Sequence, residues 1–229
     1  IISAEKLVKG SKNRPFRFDP ENKWFTTQLD NVLAEITIPP AEKLSEFIKG
    51  IDKAIAYLKS TLPANIEPVI QASANLDEKY LQTEQAMMFG CDPDFNAYTG
   101  YVNDKPFCED LTLRSCGAHI HVGYDKPAVK FKNDIYNYEV DEQRAGIVQV
   151  LDLFISVPFV LMEPDSERKR LYGKAGAFRP KSYGLEYRTP SSWYLSNKEL
   201  IKWTFNSTKT AFDYFAKNGN LPAGLAQND

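Results

Sequence analysis

The chain has 229 residues, 43% of them hydrophobic, with a formal net charge of -2. That length fits one large domain or two small ones with a real core. A slightly acidic balance argues against duplex nucleic acid as an obligatory partner, because phosphate contacts need a basic surface. No run of 18 apolar residues marks a membrane span. Three cysteines, Cys91, Cys108 and Cys116, form no CxxC pair. They suit a reducing cytosol better than a disulfide framework or a zinc knuckle. No signal peptide is visible.

In chain order, the first readable element is a strand over 31–38. Val32, Ala34, Ile36 and Ile38 alternate with Leu33, Glu35 and Thr37. After Pro39-Pro40, the residues Leu44, Phe47, Ile48, Ile51, Ile55 and Leu58 recur at helical spacing, up to the turn around Pro63. A second strand spans 118–124, with Ala118, Ile120, Val122 and Tyr124 set against His119, His121 and Gly123. A helix is expected over 142–162, apolar on most of its circumference and so buried. It is interrupted by Gln149, Asp152, Ser156 and Pro158. A third strand covers 184–188, with Leu185 and Tyr187 against Glu186 and Arg188. The last helix runs over 198–217, opened by the capping box Ser196-x-x-Glu199. Three strands with one apolar and one polar face, among helices, imply an α+β fold with an antiparallel sheet.

Three constellations can carry chemistry. His119 and His121 are the only histidines, and at i and i+2 on a strand both project from one face. They fit a metal or an anion, or simply a polar strand surface. From Arg168 to Arg188, both included, run seven positive charges, opposed by Glu186 alone. Arg forks and Lys point charges hold polyphosphate, although a solvated basic loop has the same composition. The stretch lacks the glycine order of a P-loop or a Rossmann turn. Glu186 and Arg188 share a strand face and can pair with one another, or divide between a cation and a phosphate.

Taken together these segments resemble the phage-type COOH–NH2 ligase family, type 2, on the glutamine synthetase fold. Glutamate–cysteine ligase is similar at a greater distance. The resemblance runs from about residue 30 to 195. It rests on Glu35 before Thr37-Ile38-Pro39, on the 90–97 segment Gly90-Cys91-Asp92-Pro93-Asp94-Phe95-Asn96-Ala97, on Gly117-Ala118-His119-Ile120-His121-Val122-Gly123, and on Tyr172-Gly173-Lys174-Ala175-Gly176-Ala177-Phe178-Arg179 running on to Glu186-Tyr187-Arg188-Thr189-Pro190-Ser191.

The resemblance implies a single catalytic domain over 1–229, built on a curved antiparallel sheet with helices on one face. It implies ATP and Mg²⁺ as cofactors, and an amide formed from a carboxylate and an amine through an acyl phosphate. The partners would be a small-molecule or peptide carboxylate and an amine, with no nucleic acid, no membrane and an oligomer possible. The location would be the cytoplasm, or the host cytoplasm if phage-encoded. Carried over by position, Glu35, His119 and Glu186 are expected as metal ligands. His121, Lys174, Arg179 and Arg188 are expected on the nucleotide, with Arg179 and Arg188 also catalytic. Glu35, His119 and Glu186 are expected to converge from one sheet. The family's acidic first strand is not found before Asp30: either it precedes residue 1 or the chain lacks part of the metal site. Asp92-Pro93-Asp94 lies too late in the order to replace it. A guanidino phosphotransferase and a catalytically inactive binding module of the same fold are the alternatives, with an HxH metal hydrolase behind them.

Overall fold

The computed structural model describes residues 1–87, 94–124, 142–165 and 167–221. They divide into two compact units, Ile1–Phe89 with Cys108–Arg114, and Gly90–Phe107 with Ser115–Asp229.

In the first unit, β1 (Gly10–Ser11), β2 (Arg14–Arg17), β3 (Thr26–Asp30) and β4 (Leu33–Thr37) form a sheet in that order. β3 and β4 make a two-residue hairpin, with Asp30 opposite Leu33. Asn31 takes φ 54° in its turn, a conformation asparagine tolerates better than most residues. Helix α1 (Leu44–Thr61) follows the proline pair and buries Gly50, Ile51, Ala54 and Leu58 on one face. β5 (Ser73–Asn75) and α2 (Glu84–Met87) come next. Val32, Leu76, Leu81 and Ala86 form a buried cluster beside them.

The second unit begins with β6 (Phe95–Asn96). The chain returns to the first unit, where β7 (Leu113–Ser115) pairs with β5. Then follow β8 (Ile120–Gly123), α3 (Glu142–Leu151), a π-helical segment Asp152–Ser156, and α4 (Val157–Met162). Last come α5 (Glu167–Leu171), β9 (Ala177–Lys181), β10 (Gly184–Tyr187) and α6 (Lys198–Asn218). The sheet order is β6-β9-β10-β8, antiparallel throughout. Leu185 and Tyr187 are fully buried. Arg144 of α3 is also buried and secures the tip of the β9–β10 hairpin. Its guanidinium donates to the carbonyls of Gly184 at 2.9 Å and Lys181 at 3.1 Å. Phe159 of α4 meets the rings of Trp193, Tyr194 and Trp203. This is an α+β arrangement of antiparallel sheets and helices.

Three expectations need correction, and the expected helix over 142–162 is present. The strands at 31–38, 118–124 and 184–188 do not share one sheet: β4 belongs to the first, β8 and β10 to the second. Alternation fixes which face a residue takes but not which strand it pairs with, and β4 pairs with its hairpin neighbour. Ala34 on β4 is exposed rather than inward. Residues 142–162 form one helix long and apolar enough by composition to cross a membrane, despite the polar interruptions. Half of its most apolar window is buried within the protein, and its buried Arg144 and Asp152 are bonded to protein groups, as in a core helix. Finally, α6 is capped by Asn197, whose side chain accepts from the Leu200 amide at 2.9 Å. Ser196 instead closes a 3₁₀ turn over Ser192–Ser196.

Candidate active site

The site assembles on β10. Register sets Glu186 between Arg179 on β9 and His121 on β8. Arg179 and Lys181, at i and i+2 on β9, project from one strand face. The Glu186 carboxylate is thereby enclosed. Lys181 Nζ lies 2.6 Å from Oε2, and Arg179 Nη1 lies 3.6 Å from Oε1. Arg188 Nη1 donates to Oε1, and His119 Nδ1 is 3.2 Å from the same oxygen. Arg188 bridges outward as well, its Nε donating to Asp94 Oδ2 at 3.1 Å. Asp94 is held in turn by the Asn103 amide at 2.9 Å.

Glu186 is only 4% exposed and Arg188 only 6%. The polar face of β10 is therefore covered by cations from β9 and by Arg188 just past its end, where the alternating pattern implied a face open to ligands. Burial pushes the Glu186 carboxyl up. The hydrogen bond from His119 and the charge of Arg188 outweigh it and hold the group well below the usual carboxylate range. Burial, helped by the Arg188 charge, pushes the His119 imidazole down to about 4 against the pull of Glu186. The ring is thus neutral at pH 7. Its Nδ1 is also 3.2 Å from Arg188 Nη1. The tautomer decides whether that nitrogen donates to Glu186 or accepts from Arg188.

Side-chain bonds to backbone carbonyls fix the basic loop. Arg168, buried at the start of α5, donates to the carbonyls of Thr189 at 2.7 Å and Arg188 at 3.1 Å. Gly173 makes room for it. With φ 68°, a Cβ there would lie 1.9 Å from Arg168 Nη1. Beside the loop, Asp94, Asn103, Asp104, Lys105, Leu171, Tyr172, Gly173 and Lys174 are among the residues lining a shallow cleft.

One family model matches the chain, over residues 111–213, and describes the phage phiEco32-like COOH–NH2 ligases of type 2. The match supports a relationship to this family for the 111–213 segment. Neither the curated proteins nor the solved structures give a significant match. The family's description is of an enzyme that joins a carboxylate to an amine.

Within this ligase segment lie His119, His121, Lys174, Arg179, Glu186 and Arg188. The structure brings His119, Arg179, Glu186 and Arg188 into direct contact. His121 sits opposite Glu186 in register, with its exposed ring 2.5 Å from the Tyr183 hydroxyl. Lys174 is exposed, and among the described residues its ammonium has no ion pair. Glu35 lies in the first unit, where it accepts from the Gln28 amide at 2.8 Å. Of the 90–97 motif, 90–93 fall outside the described residues. Among the described residues no group of three or more acidic, histidine or cysteine side chains is placed to hold a metal.

Sequence reasoning passed over Lys181, Asp94, Arg168 and Asp152. Lys181 was legible, since it alternates with Arg179 across Pro180. Asp94 was visible but set aside, because order along the chain says nothing of which strand end a loop returns to. Asp152 stood in the sequence only as a polar interruption of the apolar helix.

Proposed function

We propose that this chain is an ATP-dependent carboxylate–amine ligase whose phosphate-binding face is built by Arg179, Lys181 and Arg188. The observation that carries the reading is the convergence of these three cations and His119 on Glu186, inside the segment that matches the ligase family. Forming an acyl phosphate brings a carboxylate against the γ-phosphate, and fixed guanidinium groups lower the barrier by neutralising the charge that develops. The carboxylate oxygen attacks the γ-phosphorus and ADP leaves. The amine nitrogen then attacks the acyl carbon, loses its proton, and inorganic phosphate leaves. Glu186 keeps Arg188 and Lys181 aimed while no substrate is present. Phosphates reach the cluster from the side of Arg179 and Lys181, whose side chains are 19% and 31% exposed.

Mg²⁺ is the expected companion of ATP. Around Glu186 the neighbours do not fit it: both carboxylate oxygens face cationic nitrogens, whereas Mg²⁺ takes hard oxygen ligands. Glu186 thus acts here as a counter-ion, and no step is assigned to a metal held by this sheet.

The test is release of ADP and phosphate from ATP with panels of acids and amines. Release that needs both an acid and an amine supports the ligase. Phosphate transfer to a guanidino compound without amide formation points to a phosphotransferase. Calorimetry showing no ATP binding points to an inactive binding module.

A further inference from the structure

We propose that Asp152 is a positioning residue that sets Arg179 and Arg188 against one another; the proposal rests on reading those arginines as phosphate-binding groups. Asp152 opens the π-helical segment and is 3% exposed. A π-bulge widens the helix by one residue and re-aims a side chain, and such bulges gather at functional sites. Here the bulge delivers a carboxylate to the entry of β9, which carries Arg179, and to the end of β10, which Arg188 follows. Its Oδ2 accepts from the Gly176 amide at 2.6 Å. Its Oδ1 accepts from the Tyr187 hydroxyl at 2.5 Å and faces the Thr189 hydroxyl at 3.4 Å.

The places of these donors carry the argument. Tyr187 immediately precedes Arg188, and Thr189 immediately follows it. Gly176 stands in the turn that delivers Ala177 and then Arg179 into β9. The Arg188 amide donates to the Ala177 carbonyl at 2.9 Å. The Thr189 hydroxyl also lies 3.1 Å from the Lys174 carbonyl. One buried acid thus ties down the entry to β9, the exit of β10 and the loop that carries Lys174. Gly176 has φ 76°, and a Cβ there would lie 2.8 Å from the Tyr98 ring and 3.0 Å from the Ala97 amide nitrogen. The loop can take this conformation only with glycine, and its amide is then aimed at Asp152. A neutral side chain of the same size cannot accept at both oxygens, so at least one donor would be left unpaired in a dry interior.

A purely structural Asp152 would cost stability and nothing else. The full chain carrying Asp152→Asn separates the two roles, with ATP as the calorimetric probe and the Arg188 Nε–H resonance as a probe that needs no ligand. The positioning role predicts a folded variant whose ATP affinity drops at least tenfold, as small displacements of such groups do. It also predicts that the Arg188 Nε–H signal, which reports the bond to Asp94, shifts or broadens. A folded variant with wild-type affinity and an unmoved signal overturns the proposal. If Asp152→Asn does not fold, Tyr187→Phe removes one donor and keeps the ring. A severalfold loss of affinity with a displaced signal is then expected, and no change in either overturns the proposal. If wild type binds no ATP, the phosphate reading fails, and the resonance alone decides whether Asp152 positions Arg188.

Discussion

A glutamate stands in an alternating antiparallel strand on β4 and again on β10, and the two strands give it opposite surroundings. Glu35 is partly buried and accepts from a neutral amide on the neighbouring strand. Glu186 is buried against Lys181, Arg179, Arg188 and His119. The pleat treats both alike. The difference comes from the cross-strand partners, Gln28 for Glu35 and Arg179 for Glu186. A carboxylate's role is therefore written on the neighbouring strands more than on its own.

The largest test of that contrast is Glu186→Gln. It leaves two guanidinium groups and an ammonium beside an uncharged amide. Removing one partner from a buried charge cluster costs about 3–5 kcal/mol. The melting temperature should fall by many degrees, with α6 still helical below the transition. A counter-ion leaves the Mg²⁺ dependence of any turnover where it was. A magnesium titration whose midpoint moves sharply in Glu186→Gln would instead make Glu186 a metal ligand.

Arg188 comes next. Loss of a charge-assisted phosphate contact costs about 1.5–3 kcal/mol, roughly ten- to a hundredfold in ATP affinity. Arg188→Ala should show this loss by calorimetry. Arg188→Lys should not recover it, because one ammonium cannot reach Glu186 and Asp94 through separate nitrogens as the fork does. Full recovery with lysine would reduce Arg188 to a point charge.

The pH dependence of stability is smaller and of definite sign. The folded His119 titrates near 4, below its ordinary 6.5. The unfolded chain therefore binds a proton first as pH falls. The contribution is complete above about pH 6.5 and is lost as pH falls towards 4. Glu186, held below the carboxylate range, acts in the same direction: its stabilisation is present above its ordinary 4.5 and is lost below it. Discounted for the partial exposure of His119, its share is on the order of 2 kcal/mol. Urea unfolding at pH 7 and pH 4.5 should show the drop, and His119→Gln should flatten the curve between them.

Much of this contrast was legible. The β10 alternation placed Leu185 and Tyr187 in the core, and the basic run located the loop and the arginines of the cluster. What could not be read was the cover. Glu186 looked exposed on its polar face because nothing in a single strand reveals that Lys181 lies across it, and that depends on the hairpin register. The assignment of Glu35 to one sheet with His119 and Glu186 failed for a related reason, since β4 closes locally on β3. Asp152 was hidden because a polar residue in an apolar helix reads as an interruption until the π-bulge shows where it points.

The smallest expected effect is at Glu35, and it closes the comparison from the other side. Glu35→Gln keeps a side-chain oxygen that can still accept from Gln28, and it removes a charge from a partly exposed strand position. Its unfolding free energy should change by about 1 kcal/mol or less, in keeping with a carboxylate acceptor exchanged for an amide oxygen at a partly exposed position. Set against the loss expected for Glu186→Gln, this makes the ratio of the two effects the measurement of interest. Equal destabilisation would mean that Glu35 is as tightly held as Glu186, contrary to its surroundings on β4. A stable Glu35→Gln variant that loses ATP turnover while keeping ATP binding would return Glu35 to the catalytic machinery. Unchanged turnover, with both variants folded, would leave the chemistry to the sheet of the second unit.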